Sequence, residues 1–113
     1  MDNLDRATIY NTVDVVDYKT DELVTGKIIS KITGSVTLVA CDTGVKGAEK
    51  VWPFDMLLQI LDGSADVMID QKCHHLTQGQ CIIVPAHLRS HTISRTRYKM
   101  LLTIIKSGYE DSI

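Results

Sequence analysis

Short apolar runs rich in β-branched residues alternate with turn residues along most of this chain. Residues 27–32, 36–40, 56–61, 65–69, 80–84, 91–93 and 100–105 read as strands, since branched and aromatic side chains suit a pleated surface and the breaks between them fall on turn formers. Thr33-Gly34-Ser35, Asp42-Thr43-Gly44, Asp62-Gly63-Ser64 and Gln78-Gly79-Gln80 each offer a glycine where the chain reverses. Asp62-Gly63, between two alternating runs, predicts a tight hairpin. Residues 12–17 fit a helical turn capped by Thr12 and an edge strand equally well. Elsewhere no segment sustains a helical period with caps. Short strands at this spacing predict an all-β sandwich or barrel.

The alternation also assigns faces. Met56, Leu58 and Ile60 share one side of their strand, which leaves Leu57, Gln59 and Leu61 on the other. An apolar stripe on the outer face needs a cover. The N-terminal segment, with Val13, Val15 and Val16, and a second copy of the chain related by two-fold symmetry are the two candidates, and a homodimer is the expectation.

Length and charge narrow the picture. At 113 residues the chain is expected to form one domain with one core. A net charge of −2, from 12 basic and 14 acidic side chains, supplies no field for nucleic acid or an anionic membrane. No apolar run approaches a membrane span in length, and residues 1–6 lack a secretory pattern. Cys41, Cys73 and Cys81 form an odd set without close pairing, which suits reduced thiols and a cytoplasmic protein.

Gly79 and Pro85, with Gly44 and Gly63 before them, stand at the spacings of two motifs. Through them residues 26–106 resemble the cupin family, of the RmlC-like conserved-barrel kind, with an N-terminal strand or arm over residues 1–25. The resemblance implies a double-stranded β-helix, a jelly-roll barrel of two packed antiparallel sheets, and it favours dimers. In cupins two histidines and a glutamate of the first motif and a histidine of the second bind one metal inside the barrel. Here Lys50 and Trp52 stand at the two histidine positions and Met56 at the glutamate position. In the second motif His87 replaces a glycine, Ser90 falls at the histidine position, and His91 comes one residue late.

One extra residue in the turn after Pro85 would bring His91 to the family's histidine position, and an inward face carrying Ile93 would also carry His91. The expected ligand-binding set is therefore Lys50, Trp52, Met56, Leu58, His87 and His91, with His91 and Lys50 the candidates for any catalytic role. A divalent transition metal is disfavoured, because lysine, tryptophan and methionine do not replace imidazole and carboxylate ligands. Lys50 has two readings: pairing with an anion inside the barrel, or reaching out to water at the rim. Cys73-His74-His75 reads as an exposed turn or edge strand, because adjacent strand residues face opposite ways. Arg89, Arg95, Arg97 and Lys99 read as a charged surface.

The leading functional expectation is a barrel that binds a small anionic or carbonyl-bearing molecule without a catalytic metal. An enzyme of the dioxygenase, isomerase or epimerase kind using His91 and Lys50 is the alternative. An accessory or scaffold barrel is the third.

Overall fold

A computed structural model describes residues 3–106. Its strands are β1 (Leu23–Lys31), β2 (Gly34–Cys41), β3 (Lys50–Val51), β4 (Met56–Ile69), β5 (Lys72–Thr77), β6 (Cys81–Val84), β7 (Arg89–Ile93) and β8 (Tyr98–Ile105). All pair antiparallel, in the order β1-β2-β8-β4-β7-β3, with β5 and β6 also on β4. The long β4 joins the two halves of the barrel. Its first part lies between β6 and β8 and its second between β5 and β7. This is the all-β jelly roll that the strand pattern and the motif spacings predict.

The hairpin expected at Asp62-Gly63 is absent, because the chain runs straight through as β4. Ile60 pairs with Met100 and Asp62 with Lys99, so Leu61 is an extra residue in a bulge. A bulge bends a strand without reversing it, and here it turns β4 from one sheet into the other. Gly63 has φ +71° and abuts β8 so closely that a Cβ would lie 1.9 Å from the Arg97 carbonyl oxygen. Glycine at this position serves a corner. The actual hairpin falls at Asp70 and Gln71, whose φ values of 47° and 72° suit a primed two-residue turn. With no glycine there, nothing in the sequence advertised it.

The inner faces of both halves pack into one core that includes Cys41, Leu58, Ile60, Val67 and Tyr98. A second, outer cluster forms where the N-terminal segment crosses the β1-β2-β8 face. Val16 buries itself there against Leu38 and Ala40, with Ile28, Leu61 and Leu101 packed around them. Residues 12–14 form a single 3-10 turn, with Asn11 rather than Thr12 at its cap. Tyr18 fixes this cover in place: its hydroxyl donates to Asp62 at 2.8 Å, and its ring carries Arg97 and Lys99 within 4.7 and 5.0 Å of its centroid. The Lys99 ammonium also donates to the Val13 carbonyl. Leu61 is thus covered from within the chain, whereas Ile83, which pairs with Leu57, is 62% exposed. Among the described residues no helix is long and apolar enough to cross a membrane.

Candidate functional site

Strand alternation sorts the side chains before any site is sought. On β7, Ser90 and Thr92 are buried, and they pair with Ile69 and Val67 of the core. Inward on β8 point Met100, Leu102 and Ile104, and on β4 Met56 and Leu58. Together they enclose a cavity of about 360 Å³, near the lower end of the range for small-molecule sites.

The charges bordering this cavity are of one sign. Lys27, Lys50 and Lys106 border it, and among the described residues no Asp or Glu does. Among the described residues none of the three lysines makes an ion pair. Lys50 lines the cavity yet remains exposed, its ammonium 5.6 Å from the centroid of the Trp52 ring. Lys50 is anchored on the barrel strand and exposed, as the reading of a lysine at the rim expects. Lys106 is fixed through its backbone, whose N–H donates to the Thr33 carbonyl at 2.7 Å.

Lys50, Trp52, Met56 and Leu58 come together on the cavity wall. His91 also borders the cavity, and His87 does not. His91 borders the cavity through its strand, but its side chain belongs to the face opposite Ser90 and Thr92. It pairs there with Met68, and its Nδ1 lies 3.7 Å from Glu49, which also holds Arg89 at 3.2 Å. The register puts Ser90 and Thr92 on the buried face of β7, where the sequence reading sets His91 and Ile93. His87 is exposed and outside the cavity wall. Its contribution is through the backbone, with φ +69° and an N–H that donates to the Trp52 carbonyl at 2.7 Å. A glycine would adopt this conformation freely, which is why the family's motif has one here.

Sequence reasoning did not count Lys27, Thr92 and Lys106 among the site residues, and it met Ser90 only as a substitute at the family's histidine position. Lys27 and Lys106 continue visible alternations, Lys27 after Thr25 and Lys106 after Met100, Leu102 and Ile104. Ser90 is 7% exposed and lines the cavity. Thr92 bonds the Tyr98 hydroxyl at 2.8 Å across the barrel, and burial pushes the Tyr98 phenol well above its usual range. Serine and threonine at these positions read as ordinary strand residues until the register is known.

Two ion clusters lie outside the barrel. Asp66, only 4% exposed, accepts from His75 at 2.6 Å and from Arg95. These partners, His75 first, hold its carboxyl below the usual carboxylate range. Asp42 is lowered likewise, by the Asp21 backbone N–H first and then by Arg97. Cys73 and His75 point outward while His74 turns in beside Val67, as alternation requires. The basic group near the end of the chain is locally paired: Arg89 with Glu49, Arg95 with Asp66, Arg97 with Asp42.

No family model matches the chain, and no curated protein matches it by sequence. Solved structures do match. A conserved protein of unknown function from Streptococcus pyogenes superposes with a TM-score of 0.87 at 24% identity, over 93% of this chain and 92% of that one. A cupin superfamily protein from Desulfitobacterium hafniense follows at 0.84 and 20% identity, over 91% and 94%. This chain has the cupin fold. The same fold occurs in a salicylate 1,2-dioxygenase from Pseudoaminobacter salicylatoxidans, with a TM-score of 0.71 at 11% identity over 82% of this chain and 28% of that enzyme. Many cupins hold a metal, yet the donor set here does not fit one. The positions where the resemblance would place ligands carry Lys50, Trp52, Met56 and Ser90. Among the described residues no three His, Cys, Asp or Glu side chains are grouped to hold an ion.

Proposed function

We propose that this cupin barrel binds a small anion with an apolar body, at a site that works without a resident metal. One observation carries the reading: among the described residues, three lysines without an ion pair and no carboxylate border a cavity whose wall is otherwise largely apolar with several hydroxyls. Cations around a partly desolvated opening attract an anion and disfavour a cation. The aliphatic wall supplies the favourable contact for the rest of the molecule. The enzymatic alternative with His91 as acid or base draws less support, because the His91 Nδ1 lies 3.7 Å from Glu49, which does not line the cavity.

Thermal unfolding with millimolar octanoate, and with 1-octanol as its neutral counterpart, tests this reading. Octanoate is expected to raise the melting temperature and octanol to do so less, because a ligand that binds only the folded state stabilises it by mass action. Elemental analysis of the same preparation is expected to find no stoichiometric transition metal. Equal shifts from both compounds, or about one zinc, iron, manganese or nickel per chain, would reject the reading.

A further inference from the structure

We infer that the anionic group of the ligand is a carboxylate held jointly by Lys50 and Ser90, with an apolar tail along Leu58, Val67 and Met100. This rests on the anion-binding reading and specifies its head group. Lys50 and Ser90 are directly opposed partners in the β3–β7 ladder, and both line the cavity. Opposed residues of an antiparallel pair have Cβ atoms about 4.5–5.5 Å apart, so the hydroxyl and the flexible ammonium converge on one region.

Ser90 is 7% exposed and lines the cavity. Its hydroxyl can donate to an acceptor that enters the cavity. Its neighbour Lys50 supplies the positive charge, and Trp52, just after β3, holds that charge beside its ring. One hydroxyl and one ammonium match the two oxygens and single charge of a carboxylate. A phosphate carries nearly two charges and three terminal oxygens. The remaining cations at the cavity, Lys27 and Lys106, belong to the opposite half of the barrel, on β1 and after β8.

The test is calorimetric titration of the full chain with octanoate, and separately with octyl phosphate. Wild type, Lys50→Met, Ser90→Ala and the double variant are compared, and thermal melts verify that each is folded. Each single change is expected to weaken octanoate on the order of tenfold or more, as for a hydrogen bond to a charged group. The double variant is expected to lose less than the product of the two, because both groups serve one carboxylate. Lys27→Met is expected to cost less than Lys50→Met. Octanoate binding that neither Lys50→Met nor Ser90→Ala weakens would overturn the carboxylate anchor and leave the anion reading standing. Tighter binding of octyl phosphate than of octanoate would overturn the choice of carboxylate. Wild-type protein that binds neither compound would overturn both readings.

Discussion

The Lys50 ammonium lies 5.6 Å from the centroid of the Trp52 ring, on the wall of the barrel cavity. A cation held over an aromatic face is stabilised by the ring's electrons and stays available to an anion from the other side. Trp52 is the single tryptophan of the chain, so its fluorescence reports directly on this pair. Titration with octanoate is expected to change the Trp52 emission saturably, with one apparent affinity. The same titration on Lys50→Met is expected to show a smaller change at any given concentration. An emission spectrum that stays constant while octanoate binds by calorimetry would place the ligand away from Trp52.

His87 sits in the left-handed region at the position where the motif has glycine. That conformation costs a non-glycine residue about 1–2 kcal/mol, whereas glycine adds about 0.5–1 kcal/mol of unfolded-state entropy. His87→Gly is therefore expected to stabilise the protein by about 0.5–1 kcal/mol. Chemical denaturation measures it. Octanoate affinity should stay unchanged, because the bond from residue 87 to the Trp52 carbonyl uses the backbone. A loss of stability would show that the imidazole has a structural role of its own.

Acid should destabilise the fold through two carboxylates. Asp66 and Asp42 both have folded-state pKa values below the unfolded value, Asp66 through His75 and Arg95, Asp42 through backbone N–H groups and Arg97. The stability they contribute is present above the unfolded carboxylate pKa of about 4 and is lost as pH falls through the lowered folded values. The melting temperature should fall below about pH 4. Asp66→Asn is expected to cost about 1 kcal/mol at neutral pH and to make the acid limb shallower. An acid limb of unchanged steepness in Asp66→Asn would remove Asp66 from the account.

Assembly turns on what the N-terminal segment leaves uncovered. Val16 and its neighbours cover Leu38, Ala40 and Leu61, yet Ile83 is 62% exposed beside Leu57. An apolar row on a sheet face suits a second copy of itself. Light scattering at micromolar concentration is expected to give the mass of a dimer, and Ile83→Lys that of a monomer. A monomeric wild type would assign this row no partner of its own kind.

Much of the architecture was legible in residue spacing, and the reasons are local. Gly44, Gly63 and Gly79 all have positive φ, so the glycines that carry the family resemblance are those the backbone requires. The role of Gly63 was misjudged, because a bulge and a hairpin draw on the same residue types. The inward set on β4 followed from alternation. His91 did not, because a one-residue offset reverses every side chain of a strand, and only the pairing of Ser90 with Lys50 and Ile69 fixes the register. Ser90 was legible only as a substitute at the family's histidine position, since its place on the cavity wall follows from the register.

The central claim is that this barrel takes an amphipathic anion without using a metal. Calorimetric titration with octanoate before and after exhaustive treatment with a chelator measures that most directly. The account predicts about one octanoate per chain, an affinity that the chelator leaves unchanged, and weaker binding of 1-octanol. Octanoate binding that vanishes with the chelator and returns on adding a divalent transition metal would contradict it, as would a barrel that binds octanol as tightly as octanoate.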